Sequence, residues 1–410
     1  MKEANRKNVV LVICVVLMFA SCVSAQDWPQ WRGPNRDGNL SGFTAPKKWP
    51  GELTQKWRVT VGFGDATPAL IGDKLYVSAR QGEEEVTICL NAANGDELWK
   101  DKYVAQAVTG PAVRHPGPRS SPAVAEGKVV TLGVGGVLSC LDAATGKLVW
   151  RKDPFPKVVP KFFTSFSPII VDGMAIAHLG GAGNGAIIAY DLKSGNEKWR
   201  WADEGPDYGS PVLLTAEGTK QIVTPTEKSV LGINVADGKL LWKFPFPPQG
   251  RAYNAATPIV GKQTIIVTGA GRGTKGLKIE KQESGFAVKE LWSNPDLATQ
   301  FNTPVLKDDL LFGISDRNNL FCINAQTGQT VWTDATACGS RGFGALVGAG
   351  SCLIALTNDS ELIVFQPDGK AYSEIKRYKV SETVTNAHPV IAGDRVFIKD
   401  QETVTMWTIS

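Results

Sequence analysis

The chain has 410 residues, of which 43 are glycine, 24 proline and 43% hydrophobic, a composition suited to many short strands joined by turns. Its 44 basic and 40 acidic residues give a net charge of +4, and beyond residue 25 the balance is 41 against 39, which excludes any electrostatic case for a nucleic-acid partner. A chain this long suggests two or three domains, yet no Pro/Gly/Ser linker or charge run divides it, so we expect one large β domain.

Residues 1–25 read as a targeting segment. Lys2, Arg6 and Lys7 precede an apolar run from Val9 to Ala20 that is short for a bilayer span, and Val23-Ser24-Ala25 supplies the small residues of a signal-peptidase site. This predicts an exported protein, periplasmic or extracellular, whose mature chain begins at Gln26. The alternative is a lipid tether at Cys22, because Phe19-Ala20-Ser21-Cys22 resembles a lipoprotein box with Phe where Leu is usual. Residues 26–48 follow as an N-terminal clasp. Trp28 and Trp31 within it are costly to leave in water, so they are expected to pack on the outside of the main domain, residues 49–410.

Gly51 to Trp57 (GELTQKW) has the look of a final strand without its own unit. From there the chain repeats. Turn glycines recur at Gly95, Gly146, Gly195, Gly238, Gly285, Gly328 and Gly369, spaced by 41 to 51 residues, and most lead into a Trp, as in LDAATGKLVW from Leu141 to Trp150. Such a period means stacked or radially arranged units, each too small to bury its own apolar face. Apolar residues alternate or run for only four to seven positions between Gly, Asp and Asn turns, so the units are β, and the Asp/Asn-x-x-Gly segment is a hairpin turn.

A second marker lies midway between the turns: Ser or Thr, then Pro, then an apolar strand. It stands at Thr67-Pro68, Ser121-Pro122, Ser167-Pro168, Ser210-Pro211, Thr257-Pro258 and Thr303-Pro304, more loosely at His388-Pro389, and with Ala345 in place of Pro. Proline is tolerated where a strand begins. Eight openings stand against seven turns, and if Gly51–Trp57 completes the last unit the array closes into an all-β, eight-bladed propeller with no long edge exposed. A seven-bladed ring or an open solenoid is the alternative, and the degenerate fifth and seventh copies are where the count can slip.

The repeat register dissolves several apparent motifs. Gly271-Arg-Gly273-Thr-Lys-Gly276 matches a dinucleotide fingerprint, but it falls at the phase of Gly133–Gly136 and Gly180–Gly185, where a hairpin joins second and third strands, and no helix follows. His115, His178 and His388 show no metal-type spacing, so no metal site is expected, and no catalytic residue is announced. Cys89, Cys140 and Cys322 occupy the position of Ala189 and Gly232 in other copies, which calls for a small buried group rather than a reactive thiol. Cys338 and Cys352 fall in one unit and are the candidate disulfide of an oxidising compartment. The recurrent Trp reads as packing between neighbouring sheets.

These units, with their small residue, Asp/Asn-Ala, Thr/Asn-Gly and terminal Val/Leu-Trp, resemble the propeller repeat of pyrroloquinoline-quinone (PQQ) proteins from about Trp49 to the C-terminus. Asp27 to Gly38 (DWPQWRGPNRDG), Gly117 to Val124 (GPRSSPAV) and Ala387 to Asp400 are similar to segments of secreted PQQ-like propellers of planctomycete-type bacteria. Two functions follow from the resemblance. One is a quinoprotein dehydrogenase, with PQQ and calcium at the ring's centre; the vicinal Cys-Cys of many such enzymes is absent here, as is a haem segment. The other is a cofactor-free binding protein similar to the propeller lipoprotein of the outer-membrane barrel-assembly machinery, monomeric and acting on a protein or envelope component through its loops. A shared superfold implies neither function by itself, and we favour the second because the Cys-Cys and the haem segment are absent and the chain is short for the alcohol dehydrogenases of the class.

In a propeller the segments leading from each outermost strand to the next innermost strand share one face, beside the central mouth. The residues brought together there are Asp65, Arg119, Ser165, Tyr208, Asn254, Asn302, Arg341 and Asn386, one polar group per blade. They are the candidate ligand- or partner-binding residues.

Overall fold

In the computed structural model, which describes residues 27–40, 42–261, 264–283 and 285–409, the chain forms eight antiparallel sheets around one axis. Blades 1 to 7 cover 69–104, 123–152, 169–201, 212–245, 259–294, 305–337 and 344–379, each with its four strands hydrogen-bonded in chain order. Blade 8 takes three strands from 390–408 and its outermost from Thr54–Thr60, which pairs antiparallel with Thr403–Thr408. The closing strand expected at Gly51–Trp57 is therefore present, displaced by three residues. The signal-peptide segment and Cys22 lie outside the described residues.

The two sequence markers have separate mechanical roles. The Trp sits on the outermost strand, opposite the position filled by Cys89, Cys140, Ala189, Gly232, Gly276 or Cys322. A register shift accompanies it in the seven blades that carry the Trp, and blade 7 keeps the shift at Val364–Phe365 without one; a bulge of this kind re-aims a side chain. The indole N–H then donates to a carbonyl of the next blade: Trp57 to Ala92 at 3.1 Å, Trp150 to Leu192 at 3.0 Å, Trp199 to Val235 at 2.9 Å and Trp292 to Ala325 at 2.9 Å. The turn glycine of that next blade closes over the ring. A Cβ at Gly146 would stand 2.4 Å from Trp99, and one at Gly238 would stand 2.5 Å from Trp199. The small residue, the Trp and the Gly are thus one inter-blade joint.

The Ser/Thr before each Pro makes a second joint at the inner ends of the blades. Its amide donates to the corresponding hydroxyl of the following blade: Ser121 to Ser167 at 3.0 Å, Ser167 to Ser210 at 2.9 Å, Ser210 to Thr257 at 3.4 Å and Thr257 to Thr303 at 3.0 Å. His388 N donates to Thr67 Oγ1 at 2.9 Å, carrying the belt across the seam between the last blade and the first.

Blades 5 and 7 depart from the pattern. Gly285 does not form the short turn. It opens the strand Gly285–Asn294 at the tip of a hairpin with ten residues in each arm, and Trp242 of blade 4 bonds Gln221 of its own blade at 2.7 Å instead. Gly369 lies in an irregular loop, where Asp368 O accepts from Trp332 at 2.8 Å. The candidate Cys338–Cys352 disulfide is not formed: both thiols are free and buried, in different core clusters. Burial pushes the Cys338 thiol up to about 12, so it behaves as an apolar filler.

Residues 27–40 overturn the expectation of an outer clasp. They run inside the ring. Trp28 is fully buried and exchanges both backbone hydrogen bonds with Leu70 of blade 1's innermost strand, each at 2.8 Å. Pro29 O accepts from Val124 of blade 2 at 2.8 Å, and Asn39–Leu40 pair parallel with Gly348–Ala349 of blade 7. Two large aromatics and two guanidiniums find more partners between eight inner strands than on an outer surface already paired blade to blade, which is why the segment goes in rather than around.

Candidate functional site

The inserted segment, which we call the pin, determines what the ring axis is. Its ends leave on the face opposite the mouth: Asp27 Oδ1 accepts from Gly72 N at 2.8 Å, in the first hairpin turn of blade 1, and Phe43 lies beside Gly350 in the equivalent turn of blade 7. Its middle reaches the mouth-side ends of the inner strands, with Pro34 and Asn35 exposed at the tip. Arg36 Nε donates to Pro211 O at 2.6 Å, and its terminal nitrogens to Ser167 O, Pro168 O and Gln30 Oε1 at 3.0 Å each. Arg32 donates to Thr303 O and Pro304 O at 2.8 Å and to Asp37 O at 2.9 Å. Trp31 donates to Thr257 Oγ1 at 2.9 Å and packs edge-on against His388, with ring centres 4.6 Å apart. All eight blades touch the pin.

Both arginines are completely buried, and burial pulls Arg36 down to about 9 and Arg32 to about 10, so each stays protonated at neutral pH. Neither takes part in an ion pair among the described residues. Carbonyl dipoles at the starts of the inner strands solvate the two charges instead.

A ring-centred quinone with calcium, which the PQQ resemblance implies, does not fit this axis. Trp28, Trp31, Arg32 and Arg36 fill it, and the described residues bring no three His, Cys, Asp or Glu side chains together as a metal site.

Seven of the eight expected mouth residues bond from one connector to the next. Asn386 donates to Asp65 Oδ1 at 3.0 Å, and Asp65 Oδ2 lies 2.8 Å from His115 Nδ1. Arg119 donates to the carbonyls of His115 and Phe162, Phe162 N donates to Tyr208 Oη at 3.0 Å, and Ser165 Oγ donates to Tyr208 O at 3.0 Å. Asn254 N donates to Asp207 Oδ2 at 2.6 Å, while Asn302 Nδ2 donates to Ile314 O at 2.7 Å and Gly342 O at 3.0 Å. Burial alone would raise Asp65, but His115, Asn386 and Arg119 outweigh it and hold the carboxyl below its usual range. At Asp207 burial, joined by the nearby Glu227, outweighs the bonds from Asn254 N and Tyr208 N and lifts the carboxyl to about 6.

Arg119 is one of the two cations among these positions. Here it is half-buried and spans the connectors that enter blades 2 and 3. Arg341 differs: its side chain is exposed, its backbone is left-handed at φ 57°, and it makes no ion pair or side-chain hydrogen bond among the described residues.

What the sequence reading passed over are the aromatic neighbours of these positions. Tyr253 meets Phe162 and Tyr208 edge-on at 5.3 Å each, Phe162 and Tyr208 are tilted to each other at 6.2 Å, and Phe301 stacks on Phe343 at 4.4 Å. All five are half-exposed on the mouth face, and Phe63 is 41% exposed. The signal was present as an aromatic beside the polar residue in Tyr253-Asn254 and Phe301-Asn302.

Comparison with known proteins agrees with this architecture. The chain is 22% identical over 399 residues to the outer membrane protein assembly factor BamB of Burkholderia pseudomallei, covering 94% of this chain and 93% of that one. It is 30% identical over 150 residues to the quinohemoprotein alcohol dehydrogenase of Comamonas testosteroni, but this covers only 36% of this chain and 21% of the enzyme. The crystal structure of BamB from Moraxella catarrhalis superposes with a TM-score of 0.66 at 16% identity, over 87% of this chain and 99% of that one. The Comamonas testosteroni dehydrogenase gives 0.72 at 14% identity, over 94% and 80%, so structural likeness alone establishes the fold and does not choose between the two. The family described as outer membrane protein assembly factor BamB matches residues 114–334, more than half of the chain. With eight PQQ-type blades closed by an N-terminal strand and a sequence match of that extent, the chain belongs to the outer membrane protein assembly factor BamB family.

Proposed function

We propose that this protein is an exported, non-catalytic scaffold that holds a polypeptide partner of the bacterial envelope against its mouth face. The observation that carries the reading is the match along 94% of the chain to an assembly factor of nearly the same span. The filled axis supports it, since a ring with its centre occupied works through its rims. The connector face carries the groups suited to a protein partner: half-exposed Phe162, Tyr208, Tyr253, Phe301 and Phe343, and the unengaged guanidinium of Arg341. Aromatic and Arg side chains on a pre-ordered scaffold are the usual anchors of protein interfaces. Asp65, Arg119, Ser165, Tyr208, Asn254, Asn302 and Asn386 serve this reading by fixing the connectors, and Arg341 by direct contact.

Export rests on the residue pattern of 1–25. The chain works as a monomer in the periplasm or at the envelope surface, with a lipid at Cys22 as the variant form.

The test is a photo-crosslinking amino acid placed at Tyr253 or Phe343 in the native host, with Thr44 on the opposite face as control. A discrete cross-linked polypeptide at the two mouth positions and none at Thr44 is expected. Equal labelling at all three sites, or none at the mouth, would overturn the reading.

A further inference from the structure

We propose that the ring axis is a binding site for an arginine-bearing peptide loop, and that residues 27–40 are its ligand, held in cis. The site is made by the repeat itself. Six of the inner strands begin with Ser/Thr-Pro; the proline has no N–H, and at Ser121, Ser167, Ser210 and Thr257 the preceding amide is given to the next blade's hydroxyl. The carbonyls at these strand starts are left facing the axis. Five of them, at Ser167, Pro168, Pro211, Thr303 and Pro304, accept from Arg36 or Arg32. A planar fork with five N–H donors satisfies several carbonyls of different blades at once, which a lysine ammonium cannot do with the same reach.

The pin has the form of a docked ligand rather than of a blade. Its ladder contacts are two residues beside Gly348–Ala349 and one bridge from Trp28 to Leu70, and the rest of its polar contacts run through side chains or single backbone atoms. Both ends leave on one face, so it can enter or withdraw as a loop without threading a terminus. The segment that joins it to the closing strand Thr54–Thr60 is irregular, with Lys47 and Lys48 exposed. The ligand class follows from these contacts: a tryptophan-flanked loop with two arginines four positions apart, read by backbone carbonyls.

The experiment keeps the whole exported chain. A site-specific protease sequence is inserted between Lys47 and Lys48, the chain is cut, and gel filtration records whether the N-terminal fragment stays with the ring. A fluorescent synthetic peptide of residues 27–42 is then exchanged in, with unlabelled Arg32→Lys and Arg36→Lys peptides as competitors. The fragment is expected to stay bound, the labelled peptide to exchange with it, and each Lys peptide to compete at least about tenfold more weakly. Prompt release of the fragment from a ring that keeps its far-UV spectrum refutes the site. Equal competition by the Lys peptides refutes recognition by guanidinium. Unfolding on cleavage shows the pin to be an integral strand and refutes the ligand assignment. In the uncut chain, Arg36→Lys should speed amide exchange over residues 28–40 while leaving the outermost strands unchanged, and an unchanged pin counts against the proposal.

Discussion

Replacing Gly195 by alanine isolates the joint that holds one blade to the next. Gly195 sits at φ 70°, where an alanine pays about 1–2 kcal/mol for the left-handed conformation alone. A Cβ there would also stand 2.6 Å from Cγ and 3.0 Å from Cβ of Trp150, so the indole must move. Moving it lengthens the 3.0 Å bond from Trp150 Nε1 to Leu192 O, worth about 1 kcal/mol, and adds an overpacking cost of about 1–3 kcal/mol. The total comes to about 3–6 kcal/mol. Gly173 in the same blade is the control: its φ is 71°, but a Cβ there meets nothing within 4 Å, so Gly173→Ala should cost only the conformational part. Urea midpoints followed by tryptophan emission, at unchanged m-value, give the comparison. If the two variants fall within about 0.5 kcal/mol of each other, the Gly–Trp contact does not hold the blades together and the reading of the repeat is wrong.

Thr303→Val keeps the shape of the side chain but leaves Thr257 N without its 3.0 Å acceptor, at a cost of about 1–3 kcal/mol, whereas Thr327→Val in an exposed turn should stay within about 0.5 kcal/mol; equal midpoints for the two variants would remove the belt as a source of stability. Deleting Thr54–Thr60 leaves blade 8 with three strands and an open seam, so the product should aggregate or melt in a broadened transition; a sharp, unshifted melt would contradict closure by this strand. His178 is fully buried, donates from Nε2 to Glu204 O at 2.9 Å, and burial pulls it down to about 4. The unfolded chain takes up a proton near 6.5 that the folded chain refuses, so this contribution is complete above pH 6.5 and is lost as pH falls toward 4, at most about 3 kcal/mol. His178→Gln should flatten the stability curve over that window, and parallel curves for variant and parent would show that His178 does not set the slope.

Much of the ring was legible because its determinants repeat. Eight strand openings, seven of them with Pro, the Trp spacing and the interchange of Cys, Ala and Gly opposite that Trp each carry a signal that one blade confirms in the next, and the unpaired GELTQKW strand found its place by counting. The segment 27–40 occurs once. Its aromatics announced burial without saying against what, because its partners are backbone carbonyls and hydroxyls from eight distant places rather than a complementary sequence. The mouth was half legible for a related reason. A polar residue before each strand can face solvent or reach the next connector's backbone, and for Asp65, Arg119 and Asn302 the nearest acceptor or donor turned out to be protein. Gly285 misled because blade 5 lengthens its outer hairpin, which moves the turn away from the neighbouring Trp without changing the residue that marks it.

The central claim is that the chain's own N-terminal segment fills the ring axis, and hydrogen exchange read over residues 27–43 of the exported protein tests it most directly. The amides of Trp28, Arg36 and Gly38 are bonded inside the ring, to Leu70 O at 2.8 Å, Gly33 O at 3.1 Å and Arg32 O at 3.0 Å. The account predicts that these amides exchange far more slowly than those of the exposed Lys47 and Lys48, because they open only when the segment leaves the axis. Exchange of the whole segment within seconds, beside blades that remain protected, would contradict it.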